Sequence, residues 1–200
     1  MAQPSSQVAW TAETLNFVKA GNAQKGRELA KPCAGCHGAE GISSAKANPS
    51  LAGQMANYLY KQLLDYKNGN RQNPMMSAMA SSLSPQDAAD LAVYFAGLKP
   101  AVLSGVQSDP YAKAQKLVKE GNSERVLPPC EVCHGSRGQG QERDIPALSG
   151  QNAEYLTATL QAFKSGARHN DLYSRMRGIA QSLSDEEITE LGYYYQNIKK

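Results

Sequence analysis

Apolar residues recur at helical spacing in several stretches of the chain. In NYLYKQLLDY (57–66) they fall three and four residues apart, and the dipeptide NG follows as a stop signal. SPQDAADLAVYFAGL and SDEEITELGYYYQNI open with Ser84 and Ser184 ahead of acidic residues, which is typical of a capped helix start. AQKGRELA and YAKAQKLVKEG predict further helices. Because no alternating strand pattern of useful length is present, the sequence predicts an all-α fold.

The chain also contains a tandem repeat. PCAGCHG begins at residue 32 and PCEVCHG at residue 129, which is an offset of 97, and the same offset aligns PSLAGQ with PALSGQ. The second copy gains three residues after Arg168, and MSAMASSLS (76–84) then lies on MRGIAQSLS (176–184) at an offset of 100. The sequence is therefore two copies of one module.

These copies predict two domains, residues 1–100 and residues 101–200, joined by a linker at 99–110 that contains Pro, Gly and Ser. The stretch 1–20 has no counterpart in the second copy. Each module has few predicted helices and long predicted loops, at 38–53 and 68–83 in the first copy. Such a module has a thin core, and a large buried apolar cofactor would complete it.

Composition and charge exclude some classes of function. Of the 200 residues 41% are hydrophobic, and the formal net charge is +3. The first half carries 9 Lys and Arg against 6 Asp and Glu, and the second half carries 12 against 12. No basic run is dense enough to predict nucleic-acid binding. The longest apolar run, LAVYFAGL, is far shorter than the ~20 residues of a membrane-spanning helix.

All four cysteines stand in two C-x-x-C-H motifs, Cys33-Cys36-His37 and Cys130-Cys133-His134. Two thiols three positions apart on a helical turn lie on one side of it, where they can form thioethers to the vinyl groups of one haem. The adjacent histidine then supplies an axial nitrogen to the iron. The motifs predict two covalently attached haem c groups.

Three other uses of the cysteines remain as alternatives. A thioredoxin-type redox motif expects a strand-helix context and needs no histidine. A four-cysteine zinc site would leave both histidines unused. A disulfide within each pair is an option for an exported protein.

Methionine is the natural second axial ligand, since His37 and His134 are already used and only His169 is left. The second copy has a single methionine, Met176, and the repeat aligns it with Met76. The other methionines of the first copy align with non-methionine residues: Met55 with Asn152, Met75 with Arg175 and Met79 with Ile179. We therefore predict Met76 and Met176 as ligands, with Met75 or Met79 as alternatives in the first copy and His169 in the second.

Two further residue pairs match in the repeat. Pro49 and Pro146 could present rigid backbone carbonyls to the second ring nitrogen of each histidine, or they could simply end a loop. Arg71 and Arg168 could pair with haem propionates, or they could be solvated surface residues.

The tandem C-x-x-C-H-G motifs, the P-x-L-x-G-Q segments and the methionine before Leu-Ser together resemble the dihaem cytochrome c4 family over residues 20–200. The resemblance implies two class I cytochrome c-like domains around a pseudo-two-fold axis, with the haem edges facing each other. It implies the ligand pairs His37 with Met76 and His134 with Met176. It also implies a periplasmic electron shuttle, soluble or loosely attached to a membrane, that serves oxidases, dehydrogenases or cytochrome complexes. A leader would then have been removed before residue 1.

Iron held by both His and Met has no open position for substrate, so we expect an electron carrier and not an enzyme. Its donor would be a quinol-oxidising complex or a dehydrogenase, including one that oxidises sulfur compounds, and its acceptor a terminal oxidase. The alternative is a haem enzyme such as a dihaem peroxidase or a thiosulfate oxidoreductase, in which one iron keeps an open face. We expect a monomer or a weak dimer with no transmembrane segment.

Overall fold

The computed structural model describes residues 5–100, 111–141 and 143–198. Within these ranges the fold is helical, with three one-turn 3-10 segments and two isolated β-bridges. The helices are α1 (Ala12–Lys19), α2 (Ala23–Leu29), α3 (Ala34–His37), α4 (Ala56–Lys67), α5 (Pro74–Ser81), α6 (Pro85–Gly97), α7 (Ala112–Glu120), α8 (Cys130–His134), α9 (Ala153–Ser165), α10 (Arg175–Gln181) and α11 (Asp185–Asn197).

The last helix of each copy begins with a complete capping box, as the sequence predicts. Ser84 Oγ accepts a hydrogen bond from the Asp87 amide at 3.1 Å, and the Asp87 carboxylate accepts one from the Ser84 amide at 2.8 Å. Ser184 and Glu187 repeat both bonds at 3.1 and 2.8 Å. Each pair satisfies two amide donors that a helix start would otherwise leave unpaired.

The helix that precedes each C-x-x-C-H motif packs against the last helix of its copy. In the first copy α2 crosses α6 closely because Gly26 has no side chain, and a Cβ there would lie 2.1 Å from the Asp90 carbonyl oxygen. In the second copy α7 packs on α11 through Ala114, which is buried. These crossings fix the framework on which each motif lies.

Two segments that the sequence left without helices are helical. The predicted loop at 68–83 contains α5, which begins at Pro74, and α10 is its partner in the second copy. The stretch 1–20, which the repeat does not cover, contains α1. Thr11 caps α1, and Val18 of this helix is buried in the first core. The prediction of a loop at 68–83 was therefore wrong, whereas the sequence made no structural prediction for 1–20.

Reciprocal hydrogen bonds join the two copies. Gln54 Nε2 donates to the Ala147 carbonyl at 2.9 Å, and its Oε1 accepts from the Ala147 amide at 2.8 Å. Gln151 makes the same two bonds to Ser50, at 2.9 and 2.8 Å. Because Gln54 aligns with Gln151 and Ser50 with Ala147, each copy presents the same surface to the other. This arrangement is the predicted pseudo-two-fold symmetry.

Of the predicted linker at 99–110, only residues 99 and 100 lie within the described residues. The predicted second domain begins at residue 101, which lies outside them. The division into domains 1–100 and 101–200 therefore stays a prediction. In the described part of the chain, each helix is too short or too polar to cross a bilayer.

We expect Glu187→Ala to lower the free energy of unfolding by about 1 kcal/mol at pH 7, because it removes one half of the capping box. It also removes the bidentate ion pair with Arg125, whose two N–O distances are 2.9 and 2.7 Å. The Arg125 hydrogen bonds lower the pKa of Glu187 below 4.5 against the opposing effect of burial. This stabilisation is therefore present above pH 4.5 and is lost as the pH falls through the lowered pKa.

Urea unfolding followed by circular dichroism at several pH values measures the effect. Asp87→Ala is the matched control, since it removes the equivalent cap in the first copy. If the difference in unfolding free energy between wild type and Glu187→Ala stays constant as the pH falls below 4, the ion pair does not have this role.

Candidate metal centres

Each C-x-x-C-H motif forms one short helix that ends at a glycine with positive φ. In the first copy a 3-10 turn at Lys31–Cys33 runs into α3, and Gly38 ends it at φ 82°. A Cβ on Gly38 would lie 2.0 Å from the Ile42 carbonyl oxygen, so the chain can fold back here only at glycine. In the second copy the motif is α8, and Gly135 ends it at φ 84°.

None of the four cysteines forms a disulfide. Burial raises the pKa of Cys33 and raises that of Cys130 to about 11. A redox-active C-x-x-C motif needs a lowered thiol pKa, so this environment argues against thioredoxin-type chemistry. Among the described residues no three side chains of His, Cys, Asp or Glu come together as a metal site, so the cysteines lack the arrangement that a four-cysteine zinc site needs.

The two motif histidines lie in matching buried environments. His37 Nδ1 is 2.8 Å from the Pro49 carbonyl oxygen, and His134 Nδ1 is 2.9 Å from that of Pro146. The prediction of proline carbonyls as hydrogen-bond acceptors is therefore confirmed. Burial lowers the pKa of both imidazoles, against the weaker effect of these bonds. A neutral ring that donates from Nδ1 leaves Nε2 as the lone-pair nitrogen for iron.

Met76 and Met176 occupy similar places in the two copies. Each is partly buried near the start of a short helix, at the third residue of α5 and the second of α10. The other candidates are more exposed: Met75 is 64% exposed and Met79 37%. His169 is exposed, although the residues on either side of it are buried. These positions favour Met76 and Met176 over the alternatives, and the ligand assignment itself stays a prediction.

Two arginines cross between the copies in another reciprocal pair. Arg71 donates to the Tyr155 hydroxyl at 3.1 Å, and Arg168 donates to the Tyr58 hydroxyl at 3.2 Å. Gln62 Oε1 accepts from both guanidiniums, at 2.8 and 3.0 Å. Each guanidinium also stacks on an aromatic ring of its own copy, at 4.7 and 4.4 Å from the ring centroid.

Neither arginine has a carboxylate within ion-pair distance in the described part of the chain. Burial would raise the pKa of Tyr155, but Arg71 and Arg168 outweigh it and lower that pKa to about 7. This positive potential would favour an anion beside the two arginines. The propionates of haem are such anions. Thiols on one turn, neutral imidazoles and partly buried methionines are groups that can hold a c-type haem, and the arginine pair suits its propionates.

The sequence reasoning missed the buried polar residues beside this pair. Lys61 and Asp65 form an ion pair at 2.6 Å, with exposed fractions of 2% and 0%. The repeat aligns them with Ala158 and Ala162, so repetition gives no sign of their role. Their spacing of four residues on a helix is also typical of a solvated ion pair. Their burial depends on the second copy and on the segment ahead of α1, which both contact them.

Known proteins match the chain along most of its length. The family model "Cytochrome c" matches residues 23–99 and again residues 111–199. A cytochrome c4 of Thiocapsa roseopersicina is 39% identical over 170 residues, which cover 84% of this chain and 88% of that protein. A thiosulfate dehydrogenase electron acceptor of Stutzerimonas stutzeri is 36% identical, with 84% and 80% covered. The crystal structure of reduced recombinant cytochrome c4 from Pseudomonas stutzeri superposes with a TM-score of 0.84 at 37% identity, over 90% of this chain and all of that one.

We expect Arg71→Gln and Arg168→Gln each to lower the reduction potential of at least one haem. The expected shift is on the order of 50 mV, which changes a one-electron equilibrium constant about tenfold. Removing a buried positive charge favours the more positive ferric state. Spectroelectrochemical titration at pH 7 measures both potentials. Arg27→Gln, at an exposed position on α2, is the matched control. If all three variants have the same reduction potentials as the wild type, the arginine pair does not influence the haem potentials.

Proposed function

The chain belongs to the cytochrome c family and is a dihaem electron carrier of the cytochrome c4 type, and from this premise we propose that it carries electrons between redox proteins in the periplasm. The observation that supports the proposal most is the matching pair of buried histidines, each fixed through Nδ1 by a proline carbonyl. Two identical sites suit repeated one-electron transfer better than the binding of a substrate.

The proposed axial pairs are His37 with Met76 in domain 1–100 and His134 with Met176 in domain 101–200. Haem supplies reversible one-electron chemistry at its iron when it is bound. The chain's own groups would do the rest. Cys33, Cys36, Cys130 and Cys133 would hold the two rings as thioethers. The histidines would be kept neutral and oriented, and the methionine sulfurs would close the opposite faces and keep water out.

The proposed donor is a dehydrogenase or a quinol-oxidising complex, and the proposed acceptor is a terminal oxidase. Similarity to a thiosulfate dehydrogenase electron acceptor favours a donor that oxidises sulfur compounds. The proposed periplasmic location is supported by the resemblance to cytochrome c4, a family in which haem is attached to C-x-x-C-H outside the inner membrane.

A haem enzyme such as a dihaem peroxidase or a thiosulfate oxidoreductase is the disfavoured alternative. Such an enzyme needs one iron with an open or weakly held face. Both copies of this chain instead offer a histidine and a partly buried methionine at equivalent positions. If His37 and Met76 hold one iron and His134 and Met176 the other, neither iron would have a position free for a substrate.

We expect Met76→Ala and Met176→Ala each to remove about half of the sulfur-to-iron charge-transfer band of the oxidised protein. Each should also lower the potential of one haem by on the order of 100 mV or more, because thioether sulfur stabilises ferrous iron. Absorption spectra and potentiometric titration measure both effects.

Met79→Ala is the matched control, since Met79 lies three residues after Met76 on the same helix. This variant should keep the full band. A wild-type protein with one high-spin haem, or with peroxide turnover of its own, would favour the enzyme instead.

The positive charge of the first copy predicts a salt-dependent reaction with acidic partners. Lys31 is exposed two residues before Cys33, whereas the aligned position in the second copy is Pro128. We expect the electron-transfer rate to an acidic partner to fall as salt rises, and Lys31→Glu to reduce the rate at low salt about tenfold. Stopped-flow kinetics measure this rate. Lys116→Glu, at an exposed position on α7, is the control, and a rate that does not change with salt would contradict electrostatic steering.

A further inference from the structure

The segment ahead of α1 binds both copies. We call residues 5–8 the N-terminal strap. Ser6 Oγ donates to Asp65 Oδ1 of the first copy at 2.6 Å, and Ser5 Oγ donates to the Asp171 carbonyl of the second copy at 2.8 Å. Val8 is buried in the first core and anchors the strap there. The strap therefore lies across the boundary between the copies.

The strap completes a buried polar network at this boundary. Lys61 Nζ donates to the Asn170 carbonyl at 2.6 Å, and Asn170 Nδ2 donates to Asp65 Oδ2 at 2.7 Å. Lys61, Asp65 and Asn170 are almost completely buried. Buried charges must keep all their partners, so the network holds Asn170 and the residue after it in one position.

Asp171, the residue after Asn170, binds the start of α10. Its Oδ2 accepts from the Arg177 amide at 3.0 Å, and its Oδ1 accepts from Arg177 Nε at 2.8 Å. Arg177 directly follows Met176. Asp171 thus acts as a capping residue for α10 from outside the helix, because Ser174, at the usual cap position, makes no side-chain cap bond.

The first copy holds its methionine helix in a simpler way. Asn73 is the cap residue of α5, and its Oδ1 accepts from the Met76 amide at 3.0 Å. In the second copy the loop before α10 is longer, and Tyr173 and Ser174 both have positive φ, at 59° and 56°. Positive φ is unfavourable for such residues, so the loop needs contacts from outside to keep this shape.

We propose that Asp171 is the positioning residue for Met176, and that the N-terminal strap holds Asp171 in place. The segment ahead of the first copy thereby controls how firmly the second haem keeps its sulfur ligand. This inference rests on the proposed assignment of Met176 as an axial ligand.

The test uses the charge-transfer band as a probe of one haem. In full-length holoprotein that carries Met76→Ala, the band reports the second haem alone. Imidazole is then titrated against the oxidised protein until it displaces the sulfur. Adding Asp171→Ala should lower the imidazole concentration at the midpoint about fivefold, because it removes a capping interaction from α10. Asp171→Asn keeps an acceptor for the Arg177 amide and should restore most of the midpoint.

The strap is tested in the same background by Ser5→Ala combined with Ser6→Ala, which should lower the midpoint about twofold to threefold. Ser5 is half-buried and Ser6 is buried. Alanine at these positions leaves both bonds between Asp171 and Arg177 in place, so the serine pair decides the question if Asp171→Ala does not accumulate. The matched control is Met176→Ala with and without Asn73→Ala, in which the band reports the first haem. Asn73→Ala should lower the midpoint there, and the two serine substitutions should leave it unchanged.

Three results would overturn the inference. If the band is present in Met76→Ala and neither Asp171→Ala nor the serine pair shifts the midpoint, Asp171 does not position the ligand. Equal shifts at both haems would show a general loosening of the fold and would also overturn it. If Met76→Ala has no band at all, the ligand assignment itself fails, and this inference fails with it.

Discussion

The structure depends on two imidazoles held in apolar surroundings by a single hydrogen bond each. His37 and His134 bond through Nδ1 to the carbonyls of Pro49 and Pro146. Burial keeps each ring neutral, and the fixed bond determines which nitrogen faces the metal. The glycine after each histidine turns the chain back toward its proline, and the crossing of two helices supports the turn. The same geometry thus prepares one imidazole nitrogen in each copy to bind iron.

The boundary between the copies combines a symmetric layer with an asymmetric one. Gln54 and Gln151 make equivalent bonds across it, and Arg71 and Arg168 do the same with tyrosines. The network around Lys61, in contrast, exists on one side only, because the second copy has alanines at the aligned positions. The repeated bonds therefore join the two copies symmetrically, and the Lys61 network makes the two sides of the boundary chemically different.

Local chemistry made much of this predictable from the sequence. Serine caps, helical periodicity and the C-x-x-C-H spacing indicated the helices, the repeat and the cofactor. Helix α5 was missed because its signs, Asn73 and Pro74, stand inside a polar stretch, and α1 was missed because no repeated segment supports it. The roles of Gln54 and Asp65 could not be predicted at all. They depend on which surface the second copy presents, and one sequence does not reveal that arrangement.

The one-sided ion pair has a consequence for which modules can associate. Since the glutamine bonds are self-complementary, two first modules from different chains could in principle form them as well. That pairing would bury two copies of Lys61 and Asp65 without Asn170, which leaves desolvated charges unsatisfied. Two second modules would bring only alanines to the same place. The one-sided network thus favours pairing between unlike modules over pairing between like ones.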